Sequence, residues 1–213
     1  MIRTASALLA VVLLTACGNA DADALARYET ELAAGRAATT VTDDIFLGLE
    51  LGMTDQQFFD RCTQLNKERL ITMGAGGNRV NYKMKDALSR PATLTFYPAF
   101  SEDRPRIIDA MDIEVVFDDW APWNKDAHTP QLMADLLTWT RRKFGEDAYV
   151  VPHPKFKKVI VHLQDNRRVM FWAKDNATVR GRVTDLRKLP EEPLALVDPN
   201  ASGPTPDAER AQR

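Results

Sequence analysis

The chain is short of the residues that most site chemistry needs. It has two cysteines and three histidines among 213 residues. That is too little for a disulfide framework, and zinc sites need closely spaced ligands. His128, His153 and His162 stand 25 and 9 residues apart, and there is no His-Glu-x-x-His and no Cys-x-x-Cys. No metal site and no cofactor is expected from such a set. Gly-x-Ser-x-Gly is missing as well, so the strand-to-helix elbow of the α/β-hydrolases is not encoded. Charge of one sign is lacking: 28 basic and 30 acidic side chains leave a net −2. That near-balance argues against nucleic acid as a partner, since a duplex demands a strongly basic surface. What remains is 45% apolar and 27% charged residues, the composition of a globular protein with a real core.

One apolar run stands out, at the start. Residues 1–16 read MIRTASALLAVVLLTA, with Arg3 ahead of a stretch broken only by Ser6 and Thr15. A bilayer-spanning helix needs about 20 apolar residues, so this run has the length of a signal peptide. Leu14-Thr15-Ala16-Cys17 resembles the lipobox of bacterial lipoproteins. The resemblance implies cleavage before Cys17 and acylation of its thiol and new amino group. Each methylene buried in the membrane then contributes about 0.8 kcal/mol to anchoring. Gly18 stands where an aspartate resembles an inner-membrane retention signal. The implied location is the bacterial cell envelope, lipid-anchored at the outer membrane and facing the periplasm.

Residues 17–42 are alanine-rich with scattered charge. A short helix fits around 21–34, but without a strong apolar stripe the segment reads as a tether. Residues 189–213 hold five of the twelve prolines and few large apolar side chains, the composition of a disordered tail. Residues 43–188 are the expected folded domain.

Two helices are legible within it. Thr54 followed by Gln57 is a capping box, and Phe58, Cys62 and Leu65 share one helical face. Thr129 caps the second helix with Pro130 at its first helical position, Leu132, Met133, Leu136, Leu137, Thr140 and Phe144 form its stripe, and Gly145 ends it as a left-handed C-terminal cap. Four strand-like runs follow each helix: 69–73, 79–84, 92–97 and 107–117, then 148–151, 157–163, 167–173 and 178–184. Gly74–Asn78, Ser89-Arg90-Pro91, Asp165-Asn166 and Asp175-Asn176 supply turns between them. The expected fold is α+β: two helix-plus-four-stranded antiparallel sheet units in tandem (about 43–119 and 127–188), each helix packed on one sheet face. This order resembles the layout of the β-lactamase inhibitory protein family. Locally, Leu51-Gly52-Met53-Thr54-Asp55-Gln56-Gln57 resembles the helix start of the outer-membrane assembly lipoproteins of the SmpA/OmlA type.

Cys62, on an apolar helical stripe, lacks the neighbouring base that a nucleophile needs and reads as a core residue. The carboxylates Asp109, Asp112, Glu114, Asp118 and Asp119 cluster along one run. Asp112 or Glu114 with a neighbour could serve a hydrolase acting on envelope polymers, provided a cleft holds them at a set separation. The loop Asp118–Lys125 carries Trp120 and Trp123, which either plug the seam between the halves or recognise a partner.

Charge is unevenly distributed. Residues 43–126 hold 15 acidic and 10 basic side chains, a net −5, whereas residues 141–188 hold 5 acidic and 13 basic, a net +8. Strand alternation sets Val159, Val161 and Leu163 toward the core and groups Lys158, Arg168, Trp172, Arg180 and Arg182 on an outer face. That face either binds an anionic surface or forms salt bridges to the acidic half. The leading expectation is a non-enzymatic binding or scaffolding module for an envelope protein partner. The alternatives are a carrier holding a lipid or glycan in an apolar groove, and the hydrolase. On the electrostatic form of the leading expectation, charge reversal at Arg180 and Arg182 weakens partner binding in a salt-dependent way.

Overall fold

The computed structural model describes residues 20–188. The signal peptide expected over 1–16, Cys17 and the proline-rich segment 189–213 lie outside the described residues. The elements run α1 (Ala20–Arg36), β1 (Asp44–Phe46), β2 (Leu49–Glu50), α2 (Asp55–Lys67), β3 (Ile71–Met73), β4 (Val80–Met84), β5 (Ala92–Phe100), β6 (Ile108–Phe117), α3 (Thr129–Phe144), β7 (Tyr149–His153), β8 (Lys157–Gln164), β9 (Arg167–Ala173) and β10 (Thr178–Asp185). β1 and β2 form a small hairpin. The other eight strands make one antiparallel sheet in the order β3-β4-β5-β6-β10-β9-β8-β7. The fold is therefore α+β, and the two four-stranded runs join in one continuous eight-stranded sheet, a point that strand spacing leaves open.

The helix starts follow local chemistry. Thr54 Oγ1 accepts from the Gln57 backbone N–H at 3.2 Å, and Gln57 Oε1 accepts from the Thr54 N–H at 2.9 Å. This is the full capping box. α3 differs by one residue from expectation: His128 is the N-cap and Thr129 the first helical residue. The Thr129 hydroxyl instead donates to the Asp175 carbonyl, tying the helix start to the β9–β10 turn. Gly145 ends α3 with φ +146° and ψ 146°, a backbone that suits glycine but not the tight left-handed cap expected.

The sheet has a core on each face. On the first, Phe96, Ile113, Val115, Ile160, Phe171, Val179 and Val183 pack with Phe58 and Leu65 of α2 and Leu132 and Leu136 of α3. On the second, Val151, Val159, Val161, Leu163, Met170 and Trp172 pack beneath Tyr28 and Leu32 of α1. Val159, Val161 and Leu163 are core residues, but of the second face. They lie opposite to Val169 and Phe171, because Val159 pairs with Trp172 and Ile160 with Phe171.

This second core corrects the tether expected over 17–42. From Ala20 to Arg36 the segment is a helix of the domain. Its apolar stripe is short: Tyr28, Leu32 and Gly35, at i, i+4 and i+7, are buried. Tyr28 is fully buried and its hydroxyl accepts from Arg168 Nη1 at 3.1 Å. Gly35 lets the helix approach closely, since a Cβ there would lie 2.5 Å from Leu186 Cδ1 and 2.8 Å from the Asp165 carbonyl. Outside the stripe, Arg27 Nε binds Glu31 at 2.7 Å and its guanidinium sits 3.8 Å over the Tyr149 ring.

Gly181 is a second close approach, at the middle of the sheet. It pairs with Phe171, and a Cβ would meet the Phe171 ring at 2.4 Å. A Gly181→Ala variant is expected to lose about 1–3 kcal/mol of stability through overpacking. Urea unfolding checks this as a lower midpoint with an unchanged slope.

Candidate docking surfaces

The outer face expected from strand alternation is divided by the fold. Arg168 and Trp172 are only 2% and 4% exposed, because α1 covers them. Lys158 is exposed but falls on the opposite face, one residue out of phase with Val159. Arg180 and Arg182 remain on the open part of the second face, where the register sets them opposite Glu114 and Asp112 of β6. Arg180 Nε reaches Glu114 Oε1 at 3.1 Å, Arg79 Nη1 reaches Glu114 Oε2 at 3.1 Å, and Lys174 Nζ reaches Glu114 Oε1 at 3.5 Å. Arg182 Nη1 stands 3.6 Å from Asp112 Oδ1. The basic and acidic halves thus neutralise one another across the middle of the sheet. Burial pushes the Asp112 carboxyl up, while Arg182 and Arg180 pull it down. As placed, Asp112 and Glu114 act as ion-pair partners rather than as a free acid and base facing a cleft. Charge reversal at Arg180 and Arg182 would disrupt the sheet's own pairs, so it is a poor probe of binding.

The two tryptophans separate as well. Trp120 Nε1 donates to the Asn176 carbonyl at 3.3 Å, and its ring lies 6.1 Å from that of His128. It ties the loop between the halves to the β9–β10 turn. Trp123, four-fifths exposed at 83%, projects from the same loop.

The histidines have structural partners. His153 Nδ1 accepts from the backbone N–H groups of Lys155 and Phe156 at 3.1 Å each, and its ring stacks on Phe156 with centroids 4.7 Å apart. His162 is buried, with Nε2 3.0 Å from Asp147 Oδ1. Among the described residues no group of three or more histidine, cysteine or carboxylate side chains is placed to hold a metal ion.

The surface that sequence reasoning missed lies at the β3 edge. α2 and the β3–β4 hairpin enclose an open groove of about 440 Å³, lined by Phe58, Phe59, Cys62, Met73 and Val80 among others. Phe58 anchors its floor, edge-on to Phe96 at 6.5 Å and to Phe100 at 5.9 Å. Phe59 and Met73 flank it with 58% and 77% of their surfaces exposed. The lining includes the cations Lys67 and Arg79 and no carboxylate. Cys62 is half-buried in the wall, not sealed in the core. Burial pushes its thiol up to about 11, with Arg61 opposing.

The groove also borders unpaired backbone. Thr72 sits opposite Asn81, and the Gly74 N–H donates to the Arg79 carbonyl at 2.7 Å. Antiparallel pairing then directs the N–H and C=O groups of Ile71 and Met73 away from β4. The Ile71 carbonyl accepts from Asn66 Nδ2 at 3.1 Å, and among the described residues no strand pairs with the outer side of β3. In the sequence, the only sign of this surface was Phe59, an aromatic residue beside the helical stripe and not within it.

No protein-family model matches the chain, and no curated protein or solved structure matches it. No helix among the described residues is long and apolar enough to cross a membrane.

Two outcomes follow from the buried titratable groups. Cys62 is expected to resist iodoacetamide at neutral pH in the native chain and to react at an ordinary rate in urea, followed by mass spectrometry. His162 sets a pH dependence. Burial holds its imidazole below the ordinary 6.5, with Arg167 acting in the same sense and Asp147 and Glu31 opposing. The unfolded chain therefore binds its proton at a higher pH than the folded one, so stability rises with pH in that interval. The urea midpoint should fall as pH is lowered through 6.5, and His162→Gln should flatten that fall.

Proposed function

We propose that this chain is a lipid-anchored, non-enzymatic docking module of the bacterial envelope, held through acylated Cys17 at the outer membrane. It binds an extended segment of a protein partner along the β3 edge. The observation that carries the proposal is the open apolar groove flanked by Phe59 and Met73 at an unpaired strand edge. An added strand would satisfy the outward backbone groups of Ile71 and Met73, and alternate side chains would enter the groove. Lys67, with no carboxylate in the lining, favours an apolar segment flanked by an acidic residue.

Two further features support this reading. The lipobox residues Leu14–Cys17 precede α1 directly. The strand order, with β3–β6 following α2 and β7–β10 following α3 and the two runs meeting at β6 and β10, supports reading the two runs as similar units in tandem.

A carrier of an anionic lipid is the second reading, because the same groove would take an acyl chain beside Lys67. It is less favoured, since an acyl chain leaves the Ile71 and Met73 N–H groups without a partner.

The test is copurification of the full-length protein from gently solubilised membranes beside Phe59→Asp/Met73→Asp and Cys17→Ser variants. One stoichiometric protein is expected, lost at least tenfold in the groove variant, a loss of about 1.4 kcal/mol or more. On binding, hydrogen exchange should slow at the Ile71 and Met73 amides. Acyl mass and membrane retention through lipid should disappear with Cys17→Ser. A partner retained by the groove variant overturns the docking site, and an enriched lipid without a protein moves the carrier reading to first place.

A further inference from the structure

One end of the eight-stranded sheet combines an exposed aromatic side chain with exposed lysines. The β7–β8 turn, the β9–β10 turn and the loop leaving β6 all lie at this end, because β8 begins where β9 and β6 finish. The Trp120 bond to Asn176 joins the last two. The β7–β8 turn carries Lys155, Lys157 and Lys158, all exposed. The turn is built rigidly. His153 Nδ1 caps two of its N–H groups, Phe156 stacks between His153 and Trp172, and the Lys158 N–H donates to the Phe156 carbonyl at 2.7 Å. Lys157 is held at φ +62°. Among the described residues, neither Lys157 nor Lys158 forms an ion pair with a carboxylate.

Two carboxylates at this end are exposed, Asp126 in the Trp123 loop, 3.8 Å from Arg90, and Asp86 in the β4–β5 turn; the others are more closely paired. Asp118 binds Lys83 at 3.0 Å, and Asp119 binds Arg90. Asp175 accepts the Ala177 and Thr178 N–H groups, and these bonds hold its carboxyl below the ordinary range despite burial. Trp123 projects beside them. Trp and Lys side chains together suit a bilayer interface, where the indole sits at headgroup depth and the ammonium groups meet phosphates.

We infer that this sheet end, through Lys157, Lys158 and Trp123, rests on an anionic phospholipid surface. The inference rests on the envelope reading for its setting only, so its test omits the lipid anchor. The mature chain 17–213, made without acylation, is mixed with vesicles of phosphatidylcholine alone or of equal parts phosphatidylcholine and phosphatidylglycerol. The wild type is expected to sediment with the anionic vesicles only and to be released by salt. Lys157→Gln/Lys158→Gln should bind about 30-fold more weakly, at roughly fivefold per lysine. A blue shift of tryptophan emission on binding should vanish in Trp123→Phe. Equal binding to both vesicle types, or unchanged binding by the lysine variant, overturns the inference. Both variants alter exposed side chains, and an unchanged circular dichroism spectrum confirms that they fold. Loss of acylation at Cys17 would undo the envelope reading and leave this result standing.

Discussion

The antiparallel pairing of β6 with β10 is the contact on which the rest of the structure depends. It is the only place where the strands following α2 meet those following α3 within the sheet. Seven residue pairs run along it. One face of this seam is apolar: Val115 faces Val179 and Met111 faces Val183, with Ile113 over Gly181. The other face is ionic, with Glu114 and Asp112 opposite Arg180 and Arg182. Burial of apolar surface supplies most of the cohesion there, while the cross-strand charges oppose any slip of register. The opposite net charges of the two halves are thus consumed internally.

The two faces of the sheet are covered unequally, and this decides where a partner can bind. α2 and α3 close one face along the length of the sheet. α1 closes the other only over β7, β8 and part of β9, which is why β8 and β9 are buried on both sides. Beyond α1 the second face is polar and self-paired, so it offers water-exposed ion pairs of little net binding value. The most exposed large apolar side chains, Trp123, Met73 and Phe59, lie at the sheet's margin, at the β3 edge and in the loop leaving β6.

Those margins have different characters. The β7 edge is covered by α1. The β3 edge lies at the other side, seven strand spacings or about 34 Å away. The short β3, only three residues long, limits nonspecific edge pairing in the unbound state. The glycine-rich Gly74–Asn78 turn beside it is a hairpin turn with Gly76 and Gly77 at φ +82° and +76°, where other residues would be strained.

Local patterns determined the elements. The capping box at Thr54, the Pro130 entry and Gly145 exit of α3, and all eight strands of the main sheet follow from spacing, caps and turn residues, because those signals act between neighbours in the chain. Tertiary structure alone decided the rest. Tyr28, Leu32 and Gly35 are too few to mark α1 as a core helix, and their role depends on the apolar second face of β8 and β9 that they cover. That both phases of β8 are buried cannot be inferred from alternation, which assigns one face to water. Pairing of Arg180 and Arg182 with Glu114 and Asp112 required the β6–β10 register, a contact between residues more than 60 positions apart. The groove at β3 exists because the sheet ends there, and which strand becomes an edge is a property of the assembled sheet rather than of any strand within it.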